Sequence, residues 1–196
     1  MNDTHPRLPR SIDADGETIE LRAMSATDEA AVITFAQAVS THDLLFLARD
    51  ITHPKVVKAW IRDIEAETIT TLLAWRGDRI VGCAAIVRDL LAWSGHVAEL
   101  RVVLLESMRG KGLGHQLTEE AFATALAAGA EKITARMTLD QKGAVTVFEG
   151  LGFTIEALLR DQVRDRDGRK HDILVLSHDV ARTSAQHEAY GLGEAF

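Results

Sequence analysis

The sequence predicts a single α/β domain with a mixed, mostly antiparallel central sheet flanked by helices. Strand-like and helix-like apolar patterns follow one another in the order βααβββαβαββ. Arg76-Gly77-Asp78 and Arg166-Asp167-Gly168-Arg169 stand between β-rich runs as turn signals, so neighbouring strands are joined by hairpins. The glycine-rich stretch Arg109-Gly110-Lys111-Gly112-Leu113-Gly114 separates a strand pattern from a helix pattern. The chain has 196 residues, which at roughly 100–200 residues per domain gives one domain with a sizeable core.

Residues 1–16 carry prolines and polar residues without apolar periodicity and are expected to be a flexible tail. Thr18 to Arg22 alternates and predicts the first strand. Thr27 is placed to cap a helix opening with Asp28 and Glu29, whose inward face uses Ala31, Val32, Phe35 and Val39. A second helix is expected from Thr52 to Glu67, with Pro54 in its first turn and Val56, Val57, Trp60, Ile61 and Ile64 at helical spacing. Ile69 to Trp75, Arg79 to Val87 and Val97 to Leu105 read as strands. Leu113, Leu117, Ala121 and Ala125 then mark a helix, Lys132 to Met137 a strand, and Ala144, Val147, Phe148 and Leu151 a further helix that Gly152 ends. Thr154 to Val163 and His171 to Ser177 are the last strands. The domain is expected over 17–179, with 180–196 as a C-terminal extension.

Composition narrows the function. Hydrophobic residues make up 46%, an ordinary globular share, and 29 acidic against 22 basic side chains give a formal charge of −7. An acidic chain gains little from phosphate backbones, so no nucleic-acid partner is expected. No apolar run approaches the roughly 20 residues of a membrane helix, and the amino terminus lacks a signal-like apolar stretch. The expectation is a cytoplasmic protein without a membrane partner. The single cysteine, Cys83, has no base beside it in sequence and reads as a small buried hydrophobe. His96, His171 and His178 show no metal-ligand spacing and read as solvated strand-end residues, so no metal is expected.

Arg109 and Lys111 concentrate positive charge on a loop whose glycines let backbone amides converge near a helix N-terminus. That combination suits a phosphate or diphosphate better than a plain tight turn. The Walker spacing is absent, and a dinucleotide fingerprint would need glycine at position 115, where His115 stands. Glu131 falls near the distance of a ribose-binding acid, but the hairpin-rich order disfavours a doubly wound sheet.

Arg109-x-x-Gly112-x-Gly114 resembles the acetyl-CoA-binding loop of the GNAT superfamily of N-acetyltransferases. Asp78 to Gly82 and Glu99 to Leu104 are similar to two strands of that family. Gly143 to Phe153 is similar to the helix and Gly-Phe ending beside its cofactor site, and His171 to Leu176 to its last strand. The resemblance spans about residues 18–178. It implies the acyl-CoA N-acyltransferase fold, in which the fourth and fifth predicted strands, 97–105 and 132–137, splay apart around acetyl-CoA as cosubstrate. It places the pantetheine on the backbone of Val102, Val103 and Leu104. The diphosphate would lie on Arg109, Gly110, Lys111, Gly112, Leu113, Gly114 and His115, with Gln141, Ala144 and Phe148 beside the cofactor. A splayed strand leaves N–H groups that need acceptors, which agrees.

The implied reaction moves an acetyl group from CoA to a primary amine, a small molecule or a protein lysine, by direct attack in a ternary complex. An alkylammonium with a pKa of about 10.4 needs a base at neutral pH. Glu99 is the candidate base through water, against its plainer reading as an ion-pair partner, and the Leu104 N–H is the candidate oxyanion donor. Many family members carry tyrosine as the acid where this chain has Phe148, and asparagine where it has Gln141. A thiol of pKa about 8.5 leaves tolerably without an acid. Phe148 also admits a second reading, a weakly active or non-catalytic acyl-CoA-binding regulatory module. Trp60 and Phe46 lie where this fold commonly shapes its acceptor pocket, Tyr190 lies in the C-terminal extension, and the open-edged sheet admits a homodimer.

Overall fold

The computed structural model describes residues 8–181. The strands are β1 (Arg10–Ala14), β2 (Glu17–Ala23), β3 (Ile69–Arg76), β4 (Arg79–Val87), β5 (Val97–Leu104), β6 (Lys132–Thr138), β7 (Thr154–Arg164) and β8 (Lys170–Asp179). The helices are α1 (Glu29–Ala38), α2 (Pro54–Glu65), α3 (Leu113–Ala127) and α4 (Lys142–Gly150). Among the described residues the strands form an 8-stranded sheet in the order β1-β2-β3-β4-β5-β6-β8-β7. Only β5 and β6 pair in parallel. A doubly wound parallel sheet is therefore absent.

The first strand lies earlier than expected. Arg10–Ala14, assigned from sequence to a flexible tail, pairs antiparallel with β2, matching Ile12 to Ile19. The cause is the dipeptide Asp15-Gly16, with φ of 56° and 77°. Positive φ at both central residues is the requirement of a type I′ hairpin turn, and Asp-Gly is among its strongest signals. Residues 1–7 of that expected tail lie outside the described residues, as do Tyr190 and all but the start of the C-terminal extension.

Ser25, rather than Thr27, opens the first helical segment. Asp28 accepts hydrogen bonds from the Ser25 N–H (2.8 Å) and Oγ (3.0 Å) and pairs with Arg22 at 2.6 Å. Val32, Phe35 and Ala36 of α1 are buried. In α2 the predicted stripe buries Val57, Trp60 and Ile61, and Trp60 donates Nε1–H to Thr71 Oγ1 at 2.9 Å. Trp60 is thus committed to the core and does not shape a pocket. Gly152 takes a φ of 81° to end the last helical segment, and the Phe153 N–H returns to the Phe148 carbonyl.

Two apolar clusters sandwich the sheet. One joins α3 and α4 to Leu100, Ile133 and Leu176; the other joins α1 and α2 to Leu73, Cys83 and Val103. Successive residues of β5 therefore face opposite layers. No helix among the described residues is long and apolar enough to cross a membrane.

The feature that positions the site is the end of pairing between β5 and β6. The register runs from Val97↔Lys132 to Leu100↔Ala135 and stops there. Beyond it, Arg101 to Leu104 stay paired with β4 and Arg136 to Thr138 stay paired with β8. The sheet opens between these strands, as expected for the fourth and fifth strands of the sequence pattern.

Candidate active site

The direction of the backbone groups in this opening follows from one hydrogen bond. Leu105 donates its N–H to the Val81 carbonyl at 3.0 Å. In an antiparallel pair the two backbone groups of one residue point to the same side, and sides alternate along the strand. Val103 and Arg101 therefore face β4, whereas Val102 and Leu104 turn N–H and C=O towards the opening. Of the three residues expected to meet the pantetheine, Val103 contributes no backbone group there.

The glycine loop joins β5 to α3 through a single 3₁₀ turn at Glu106–Met108. Gly110 and Gly112 have φ of 74° and 81°, a region that costs other residues roughly 1–2 kcal/mol. The N–H groups from Gly110 to His115 have no acceptor among the described residues, the first ladder bond of α3 being Gln116 N–H to the Gly112 carbonyl. A run of free amides at a helix N-terminus is a fit for a diphosphate. Gly114 serves packing instead. A methyl group on it would stand 3.1 Å from Leu104 Cδ1, and one on Gly82 would stand 2.5 Å from Leu104 Cδ2. The Leu104 side chain is thus seated between two glycines, which ties β5, β4 and the loop together.

Opening and loop share a cleft of about 570 Å³. Of the residues named from the sequence, Val102, Val103, Leu104, Arg109, Gly110, Gly112, Gly114, His115, Gln141, Ala144 and Phe148 line it; Glu99, Lys111 and the buried Leu113 do not. The two loop cations differ. Arg109 stays at the cleft, paired with Asp43 at 2.5 Å. Lys111 turns to Glu17 of β2, which Arg76 also holds, and the two cations keep the Glu17 carboxyl below the usual carboxylate range. His115 pairs with Glu119 along α3 at 3.2 Å.

Glu99 sits on the α1/α2 side of β5. Its Oε1 accepts from Arg101 Nε at 2.7 Å, and its Oε2 lies 3.5 Å from Arg136 Nε. Gln141 takes the Thr138 N–H on Oε1 at 3.0 Å, bracing the turn from β6 into α4. Phe148 is 4% exposed, with its ring edge to Phe153 at 5.0 Å between centroids. Cys83 is buried, and burial pushes its thiol up to about 12, so it offers no thiolate at neutral pH.

Sequence reasoning missed the residues that the α1–α2 connection brings in. His42, Asp43 and Phe46 line the cleft, of which only Phe46 was anticipated. His42 Nε2 lies 2.7 Å from Asp140 Oδ2 and 3.4 Å from Thr138 Oγ1. Asp140 is exposed; partial desolvation pushes its carboxyl up, but the Thr138 hydroxyl and the neighbouring His42 outweigh it and hold it below the usual range. His171, expected to be solvated, is largely buried, 2.7 Å from Asp165, with its ring edge-on to His42. His178 is buried too, against Phe122 and Phe153. No local pattern links these residues: His42 meets Asp140 across 98 positions and His171 from farther still along the chain.

The family model described as the acetyltransferase (GNAT) family matches residues 38–153. The chain belongs to that family. Acetyl-CoA is the cosubstrate of that family. A mycothiol acetyltransferase of Corynebacterium efficiens is 32% identical over 97 residues, which are 49% of this chain and 30% of that protein. The matched part is thus under a third of that relative's length. An acetyltransferase of the GNAT family from Streptococcus pneumoniae superposes with a TM-score of 0.70 at 20% identity, covering 82% of this chain and 99% of its own. A Salmonella typhimurium protein, assigned as an acetyltransferase and solved with its cofactor acetyl-CoA, gives 0.68 at 20% identity over 83% and 94%. These likenesses establish the acyl-CoA N-acyltransferase fold for this GNAT chain.

Proposed function

We propose that this GNAT enzyme acetylates a primary amine, with acetyl-CoA and the acceptor bound together in the one cleft. The observation that carries this reading is that Val102, Leu104 and the glycine loop line the same cavity as His42 and Phe46. A cosubstrate held along the first set presents its thioester to an amine admitted past the second. Arg109 and the amides of Gly110 to His115 would hold the diphosphate. Val102 and Leu104 would hold the pantetheine, and the Leu104 N–H would stabilise the developing oxyanion. No acyl-enzyme is needed, since the buried Cys83 is protonated at neutral pH.

The test measures acetyl-CoA affinity by calorimetry and CoA release with spermidine, tyramine and a lysine-containing peptide. Acetyl-CoA is expected to bind and raise the melting temperature, and at least one amine to provoke CoA release. Tight binding without release by any amine would favour an acyl-CoA-binding module.

A further inference from the structure

A primary amine must shed a proton before it attacks, and the structure supplies a group for this that the sequence pattern did not suggest. Glu99 has each carboxylate oxygen turned to a guanidinium and does not line the cleft. His42 does line it, carried there by the 3₁₀ turn His42–Leu44 between α1 and α2. We propose that His42 is the general base of acetyl transfer and that Asp140 is its positioning residue. This rests on the amine-acetylating reading above.

The geometry gives the two ring nitrogens different tasks. Asp140 Oδ2, 2.7 Å from Nε2, accepts the Nε2–H. That fixes the neutral tautomer and leaves the lone pair on Nδ1, which has no partner among the described residues. The ring is held from behind by His171, edge-on at 5.5 Å and itself 2.7 Å from Asp165. Two imidazole–carboxylate pairs, from four separate segments, thus fix the His42 ring at the cleft. The charged and titratable groups around His42 are Asp140, Asp43, His171 and Asp165, while Arg109, paired with Asp43, and His115 and Lys142 stand elsewhere in the same cleft.

Proton and electron bookkeeping closes. Nδ1 takes one proton from the acceptor ammonium, and the neutral nitrogen forms the C–N bond to the acetyl carbon. The C–S bond breaks with its electron pair on sulfur, which takes a proton from water. The surplus proton on the new amide nitrogen goes to water, and His42, with 39% of its side chain exposed, returns its own proton to solvent. No tyrosine acid is required, in keeping with Phe148.

His42→Gln tests this. Acetyl-CoA affinity is expected to stay within about twofold, while kcat with the best amine of the panel falls about 100-fold or more. The low-pH limb of kcat/KM should vanish, leaving a rate that rises with the amine's own deprotonation. Asp140→Asn should lower kcat less and keep the limb. A His42→Gln enzyme with the wild-type pH profile overturns the proposal, as does equal loss of acetyl-CoA binding, or a limb abolished by Glu99→Gln alone. Failure of the wild type to acetylate any amine is a separate result: it removes the proposed function first, and this inference with it.

Discussion

At single positions, the glycines of the loop do different work, and their substitutions separate accordingly. Gly112→Ala forces an L-residue to a φ of 81°. It should cost roughly 1–2 kcal/mol of stability and weaken acetyl-CoA binding, both readable from melting curves with and without the cosubstrate. Lys111→Ala removes a cation already committed to Glu17, so its effect on acetyl-CoA affinity should stay within about threefold. A tenfold loss on calorimetry would mean that Lys111 leaves Glu17 for the diphosphate. Phe148→Tyr adds a hydroxyl at a side chain that both packs on Phe153 and meets the cleft. Acetyl-CoA affinity should be nearly unchanged; a large loss would show that the hydroxyl cannot be accommodated.

Among elements, the junction between β2 and α1 turns on one buried carboxylate. Burial raises the Asp28 pKa, but Arg22 and the Ser25 N–H and Oγ outweigh this and hold it below 3.8. A folded value below the unfolded one adds stability that is fully present above the unfolded pKa and is lost as pH falls through the folded one. Asp28→Asn should therefore cost about 1.5–3 kcal/mol at pH 7, with the gap to wild type narrowing below about pH 4 in urea melts. A gap independent of pH would assign the loss to packing alone. Elements with periodic apolar patterns were legible in the sequence: β4 begins and ends as expected, and α2 starts within two residues of its predicted start. β1 was legible too, in Asp15-Gly16 between alternating runs, but the prolines upstream disguised it. The α1–α2 connection was not. Its residues lack a period, and His42 gains its role only when folding brings Asp140 and His171 beside it.

Across the molecule, the charge of −7 and the amine acceptor bear on each other. An acidic surface steers cations, and salt screens exposed charges over a Debye length of about 8 Å at physiological ionic strength. For spermidine, kcat/KM should fall as salt rises from 20 to 300 mM (about 20–300 mM in sodium chloride), whereas tyramine should respond less. Equal responses would show that the acceptor's charge is not what the enzyme's field acts on. Of the two cations of the glycine loop only Arg109 lines the cleft, where it is paired with Asp43.

The seat of Leu104 carries a consequence for engineering. Because its side chain is lodged between Gly82 and Gly114, three positions scattered along the chain form one interchangeable cassette. A graft of residues 109–115 from a relative with a bulkier residue at position 114 would press on the Leu104 side chain and strain the strand that carries the amide proposed to meet the oxyanion. Swapping cofactor preference by loop exchange alone should therefore yield poorly active chimeras. Matching replacements at 82 and 104 are the natural unit of transplantation.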